Sequence, residues 1–252
     1  MLKTRIIPCL LFKDRTIVKS VQFGEFRMVG DPTTCARVFN TRKADELIFL
    51  DIMASRCNKE PNFKVIDDIS NECFMPLSIG GGINNMAHAD KMFQIGADKI
   101  IVNTALIANP DFIRQCSKKY GSQALIASID VKKEDNGYSP YIYGGQKKTG
   151  LSLAQMIKLA EKLNVGEIMV NSIDRDGTCK GYDIDMIKLA SKETSMPVIA
   201  TGGAGKLDDF VLAIKEGEAD ALCAASIFFF VGESIITIKE HMSKNRINVR
   251  KT

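Results

Sequence analysis

The chain has 252 residues and a net charge of +4, from 34 Lys and Arg against 30 Asp and Glu. Apolar residues make up 45% and charged residues 25%, an ordinary globular balance that excludes disorder, collagen and coiled coil. The charge is spread without long runs, so no nucleic-acid partner is expected, and a local basic site for an anionic ligand stays open. No run approaches the roughly 18 apolar residues of a membrane span. The N-terminal MLKTRIIPCLLFKDR lacks the apolar core of a signal peptide, so a cytoplasmic location is expected.

Eight short β-branched runs read as strands: Arg5–Leu11, Glu46–Asp51, Pro76–Gly80, Lys99–Asn103, Ala124–Asp130, Glu167–Ile173, Pro197–Thr201 and Ala221–Ala225. Shared among eight units, the chain gives about 31 residues each, the size of a strand plus its crossover helix. LIFL at 47–50 and KIIV at 99–102 are apolar without alternation, as parallel strands buried on both faces require. Asp31-Pro32 and Asn109-Pro110 each place a cap residue before a first-turn proline, and Asp183 and Asp208 are further cap candidates. Gly96, Gly166 and Gly217 precede strands, where a helix C-cap glycine belongs. This pattern predicts an α/β fold, a single (β/α)8 TIM barrel over residues 1–252. An open doubly wound sheet is the alternative, but no GxGxxG is present.

Segments recur in order across the two halves. SIGGGI at 78–83 matches ATGGAG at 200–205, GADKIIVNT at 96–104 matches EADALCAAS at 218–226, and ADELIFL at 44–50 matches VGEIMVN at 165–171. Two half-barrels, about 1–121 and 122–252, account for this spacing.

The seven cysteines, Cys9, Cys35, Cys57, Cys73, Cys116, Cys179 and Cys223, are odd in number and form no CxxC. They read as reduced, mostly buried thiols. His88 and His241 stand apart, so neither a metal site nor a Ser-His-Asp triad is expected.

In such a barrel the chemistry sits on the loops after the strands. Gly80-Gly81-Gly82, Asn103-Thr104, Gly202-Gly203 and Ala225-Ser226 end four of them. Glycines let backbone N–H groups approach a phosphate, so each half offers one phosphate set, although glycines also serve plain tight turns. Asp51, Asp130 and Asp176 fall at strand ends. Asp130 follows the apolar ALIASI, where burial raises a carboxyl pKa and suits acid–base work; the structural alternative is a carboxylate pinned by Lys132. Aligned on the repeat, Asp130 faces Leu11, so only one half carries an acid. At the strand starts, Arg5, Glu46, Lys99 and Glu167 alternate in sign, either as ordinary stabilising charges or as an ion-pair ring closing the barrel's N-terminal mouth.

RIIPCL at 5–10, IVK at 17–19, GDP at 30–32, ADELIFLDI at 44–52, PLSIGGGI at 76–83, SIDRDGT at 172–178, PVIATGGAG at 197–205 and AASIF at 224–228 together resemble the cyclase-subunit family of imidazole glycerol phosphate synthase from end to end. The resemblance implies a heterodimer with a glutaminase bound at the N-terminal face. Ammonia would pass a gate of Arg5, Glu46, Lys99 and Glu167 and cross the barrel to a two-phosphate ligand. It implies phosphate binding by Gly82, Asn103 and Thr104 at one end, and by Asp176, Gly177, Gly203, Ala225 and Ser226 at the other. It places Lys19 on a mobile loop reaching the substrate, makes Asp130 a catalytic acid–base residue, and calls for no cofactor. One catalytic position departs: the family reads CLDVKDG where this chain reads CLLFKDR at 9–15, so Leu11 replaces the second acid. Arg15 and Ser20 also replace family glycines. Relatives with the IPCLL start resemble partners in surface-polysaccharide pathways, where glutamine-derived ammonia builds an amidino group on a nucleotide sugar and a third, ATP-dependent protein completes the transfer. The alternatives are a working histidine-pathway cyclase and a non-catalytic scaffold that activates the glutaminase.

Overall fold

The computed structural model describes residues 3–250. In chain order the first half holds β1 (Arg5–Lys13), β2 (Thr16–Ser20), β3 (Phe26–Gly30), α1 (Pro32–Thr41), β4 (Leu47–Asp51), α2 (Phe63–Ser70), β5 (Leu77–Gly80), α3 (Met86–Ile95), β6 (Lys99–Val102), α4 (Ala105–Ala108) and α5 (Pro110–Tyr120). The second half holds β7 (Leu125–Glu134), β8 (Gly137–Ile142), β9 (Lys147–Lys148), α6 (Leu153–Lys162), β10 (Glu167–Ser172), α7 (Ile184–Glu193), β11 (Val198–Thr201), α8 (Leu207–Lys215), β12 (Ala221–Ala224) and α9 (Ile235–Lys244).

Eight strands pair in parallel around a closed ring: β1, β4, β5, β6, β7, β10, β11 and β12, returning to β1. The fold is a (β/α)8 TIM barrel. All eight predicted strands are present, but β1 and β7 run further than expected, to Lys13 and Glu134. Antiparallel partners extend them: β2 and β3 follow β1, and β8 and β9 follow β7. The β1 and β7 strands thus carry the same kind of antiparallel elaboration. Among the described residues, no helix is long and apolar enough to cross a membrane.

The caps follow local chemistry. Asp31, Asn109 and Asp183 accept hydrogen bonds from the backbone N–H groups of Thr34, Phe112 and Met186, as N-cap side chains do. Asp208 is not a cap. It pairs with His241 at 2.7 Å, and its neighbour Asp209 reaches back to the Gly205 and Lys206 N–H groups. Gly96 caps α3 with φ +112, whereas Gly166 and Gly217 are not left-handed caps. Asn164 and Glu218 take the positive-φ positions nearby. Gly166 is required because a Cβ there would lie 2.5 Å from the Ser122 carbonyl oxygen.

Two apolar clusters hold the fold. The larger lies between the strands and the helices, around Leu10, Phe12, Phe39, Phe49, Leu125 and Phe210. The smaller fills the barrel itself with Ile7, Cys9, Ile48, Ile101, Ile126, Met169, Ile199, Ala221 and Cys223. Burying one such aliphatic side chain contributes about 1.5–3 kcal/mol. All seven cysteines are free thiols; Cys9, Cys35, Cys116 and Cys223 are buried and Cys57 is exposed.

Helix α9 is fastened to the barrel floor by a buried charge pair. Lys239 Nζ donates to Asp45 Oδ1 at 2.7 Å and to the Lys43 carbonyl at 3.0 Å, while Asp45 Oδ2 accepts from the Ile6 N–H. The two side chains are 3% and 5% exposed, so removing one strands the other without solvent. Lys239→Met should lower the unfolding free energy by about 3–5 kcal/mol in urea titrations; a loss below about 1 kcal/mol would contradict this role.

Candidate functional site

Successive inward-facing residues of a barrel strand sit two positions apart. The strand starts therefore meet at one mouth and the strand ends at the other. At the N-terminal mouth, Arg5 donates to Glu46 at 2.7 Å and to Glu167 at 2.5 Å. Lys99 reaches Glu167 at 2.7 Å and Glu46 at 3.3 Å. The four side chains close a ring in which each carboxylate touches both cations. Glu46 is anchored further by the Ser78 hydroxyl at 2.5 Å. Burial alone would lift the Glu167 carboxyl, but its bonds to Arg5 and Lys99 outweigh that and hold it below the ordinary range. Inside this ring comes an uncharged layer, including Ile7, Ile48, Ile101, Ile126, Met169 and Ile199.

The C-terminal mouth opens into a cavity lined from all eight strand ends. Asp130 lies near its base, 9% exposed. Its carboxylate accepts from Asn171 Nδ2 at 3.2 Å, its register partner on β10. Burial pushes its pKa up to about 7, with Asp176 adding and Asn171 and Arg56 opposing. Lys132 does not pin it, because that ammonium sits 4.9 Å above the Tyr141 ring. Leu11 also lines the cavity and can neither give nor take a proton. Asp51 serves its own loop, accepting from the N–H groups of Met53, Ala54 and Asn62.

Gly82, Asn103, Thr104, Asp176, Gly177, Gly203, Ala225 and Ser226 all line this cavity. Their hydrogen bonds show what else they do. Asn103 Nδ2 donates to the Ser128 and Tyr141 carbonyls, and Thr104 Oγ1 accepts from the Tyr143 N–H, so this pair pins the β7–β8 hairpin. The Gly82 N–H donates to Ser55 Oγ at 3.1 Å. Gly203 (φ +106) packs so closely on the next loop that a Cβ would lie 2.2 Å from the Gly181 carbonyl oxygen. The glycines therefore serve tight loop contacts whatever else they bind.

One residue differs from expectation. Lys19 does not sit on a loop reaching the substrate. It belongs to β2, is 2% exposed, and donates to the Cys9 carbonyl at 2.7 Å, 4.8 Å from the Phe229 ring. Burial lowers its pKa. Asp176 lines the cavity and serves as an acceptor within the protein. Its carboxylate takes the Ser20 hydroxyl at 3.0 Å, its carbonyl takes the Gln22 N–H, and burial raises its pKa. Beside it Gly177 fits so tightly that a Cβ would be 1.8 Å from the Ser20 carbonyl oxygen. The segment after β2 is thus seated on the Asp174–Thr178 turn.

The structure adds lining residues that the sequence reading did not single out: Phe23, Phe26, Ser55, Arg56, Lys59, Tyr143 and Asn171. Two cations within four residues after β4 were the available signal for Arg56 and Lys59.

The Asp130 carboxyl titrates at about 7 in the folded chain and near 3.9 when unfolded. The folded state binds the proton more tightly, so stability falls as pH rises between those two values and is level above them. Asp130→Asn should therefore stabilise the chain more at pH 8 than at pH 5 in urea titrations. Equal effects at both pH values would contradict the raised pKa.

Comparison with known proteins agrees with this geometry. The family described as "Histidine biosynthesis protein" matches residues 5–233. The chain is 41% identical over 251 residues to the imidazole glycerol phosphate synthase subunit HisF of Streptococcus mutans, covering 99% of this chain and all of the relative. It is 40% identical to the subunits of that name from Natranaerobius thermophilus, across 99% of this chain, and Alkaliphilus metalliredigens, across 100%, in each case covering all of the relative. A barrel of this size, with an ion-pair ring at one mouth, an acid at the other and likeness along its whole length, belongs to the histidine-biosynthesis protein family, among its HisF-type cyclase subunits.

Proposed function

We propose that this chain is the synthase-type subunit of a cytoplasmic glutamine amidotransferase. In this reading a glutaminase docks on the N-terminal face to form a heterodimer, and its ammonia crosses the barrel to an acceptor in the C-terminal cavity. One observation carries the reading: a closed ring of Arg5, Glu46, Lys99 and Glu167 opens onto an apolar interior that ends at Asp130. Neutral ammonia crosses apolar surroundings far more readily than ammonium, whose desolvation costs several kcal/mol. Passage requires at least one arm of the ring to swing aside, and Arg5 and Lys99, 27% and 18% exposed, are the partly solvated arms.

In the cavity Asp130 exchanges a proton with the reacting nitrogen. A pKa of about 7 lets it act in either direction near neutral pH. Ring closure of the imidazole needs a second acid–base group, and Leu11 removes it. Such a group is worth about 10²–10⁴ in rate, or about 3–5 kcal/mol of barrier. The ring and the apolar interior are both present while the cyclase pair is not, which favours a repurposed subunit that supplies nitrogen for amidination of a nucleotide sugar, with a third, ATP-dependent protein at the final transfer. The second reading is a working cyclase of histidine biosynthesis, favoured by 41% identity to a HisF subunit.

Docking at the N-terminal face has an exposed anchor. Phe74, in the connection from α2 to β5, is 86% exposed. Its backbone is fixed by Asn40, which takes the Phe74 N–H at 3.0 Å and gives to the Glu72 carbonyl. A rigidly held, solvent-exposed aromatic suits an interface hot spot. Mixing the chain with its glutaminase should give a 1:1 complex by analytical ultracentrifugation and faster glutamine hydrolysis. Phe74→Glu should weaken the complex about thirtyfold or more, the 2 kcal/mol and upward of such anchors. Failure to form a complex, with both proteins folded, would overturn the reading.

A further inference from the structure

Three polar side chains share one level of the barrel. The strand registers place Asp130 of β7 opposite Asn171 of β10, and Asn171 opposite Thr201 of β11. All three residues line the cavity. One inward-facing step below, Met169 of β10 pairs with Ile199 of β11, both members of the apolar layer. The polar rung therefore rests on that layer, and Asn171 is its middle member.

The hydrogen bonds of the rung are asymmetric. Asn171 Nδ2 donates to Asp130 Oδ1 at 3.2 Å, and among the described residues no other side chain bonds this carboxylate. Asp176, on the turn after β10, and Arg56, on the loop after β4, are the charged groups that act on it, and they do so without a bond. Among the described residues, the enclosed side-chain atoms without a partner are Arg56 Nε, Asn171 Oδ1, Ser191 Oγ and Thr201 Oγ1. Asp130 Oδ2 also has no hydrogen bond but is not enclosed, so it is the oxygen open to the cavity. Asn171 Oδ1 is turned toward the end of β11, where a Cβ on Gly202 would lie 3.0 Å from it. Thr201 does not engage it, so the amide is committed through its donor end alone. A primary amide nitrogen carries two donors and no acceptor. A carboxyl oxygen held against it stays an acceptor, because a proton there would face an N–H. The amide is also neutral. A cation in its place would pull the carboxyl down by about 1–3 units, whereas the amide offsets only part of the rise caused by burial and leaves the group titrating at about 7.

We propose that Asn171 is the positioning residue of Asp130: it holds Oδ1 as a standing acceptor, so that Asp130 takes and gives its proton through Oδ2 alone, the oxygen that faces the substrate. When Asp130 takes a proton, the O–H bond forms on Oδ2 from a lone pair of the carboxylate. When it gives the proton up, the bonding pair returns to Oδ2. The Nδ2–H···Oδ1 bond persists through both steps, so the carboxyl plane does not turn between them. This rests on the preceding reading in taking Asp130 as the proton-exchanging group, and adds which of its oxygens exchanges the proton and what fixes that choice.

The test is a pH titration of the full chain followed by 13C NMR and infrared spectroscopy, with the Asp130 signals assigned by their loss in Asp130→Asn. Asn171→Val removes the donor, and Asn171→Thr restores one in the same shape, since a hydroxyl donates. The Asp130 midpoint should rise by about one pH unit in Asn171→Val, the difference between a charge-assisted and a neutral hydrogen bond. In Asn171→Thr it should stay within about half a unit of the native value. The carbonyl stretch of protonated Asp130 belongs to Oδ1, and it should lie at lower frequency in the native chain than in Asn171→Val, because Oδ1 still accepts a hydrogen bond. Asn171→Ala, a second variant without a donor, gives both readings should the valine disturb β10. An unshifted midpoint in both donor-less variants would overturn the proposal. So would a native carbonyl stretch as high as theirs, the mark of an Oδ1 without a donor. A native midpoint at the ordinary value of about 3.9 would overturn the use of Asp130 in the preceding reading as well, whereas a raised midpoint indifferent to Asn171 overturns this inference alone.

Discussion

The pairing of β10 with β7 closes the barrel, and both mouths depend on it. Its register places Glu167 beside Ile126, Met169 beside Ser128 and Asn171 beside Asp130. Counted in steps of two, β10 alone shows the order of the interior: an ion-pair residue, an apolar residue and a cavity residue. The same steps give Arg5, Ile7, Cys9 and Leu11 on β1, and Lys99, Ile101 and Asn103 along β6. Closed-barrel geometry turns these separate strands into layers. A slip of one residue in this pairing would carry Glu167 out of the ring and Asn171 off Asp130 together.

Each layer does different physical work. The ring satisfies its buried carboxylates internally, which lets charge sit at the barrel floor without an unpaired anion. The apolar layer separates that charge from Asp130, and the resulting burial raises the Asp130 pKa to about 7. Ring, layer and acid are thus linked: the interior that favours neutral ammonia also keeps a carboxylic acid protonated part of the time near neutral pH. Leu11 extends the apolar layer upward on one side of the cavity. Acid–base capacity is left on the β7–β10 side, and cations gather on the loop after β4.

Much of this was legible in the sequence. Continuous apolar runs located the eight strands, because strands buried on both faces have no solvent side to mark. The ring was legible because Arg5, Glu46, Lys99 and Glu167 stand at or immediately before strand starts, and a barrel brings strand starts together. Lys19 was misplaced because its surroundings depend on the β1–β2 hairpin, which packs its side chain against the Cys9 carbonyl. The docking of Ser20 on Asp176 is not legible locally, because the two are remote in sequence and residue type says nothing about it. Arg56, Phe23 and Tyr143 lie in irregular loops without periodicity, and only the folded chain shows that they share one wall.

The account turns on whether the barrel chemistry has changed while ammonia delivery has been kept. The most direct measurement is ammonium-driven turnover of the two-phosphate imidazole precursor by the purified chain, beside the same assay on Leu11→Asp. Free ammonium removes the glutaminase from the question. The account predicts little turnover by the native chain and a gain of about 100-fold or more in the variant, the scale of one acid–base group. Robust turnover by the native chain, unimproved by the substitution, would contradict it and identify a working cyclase.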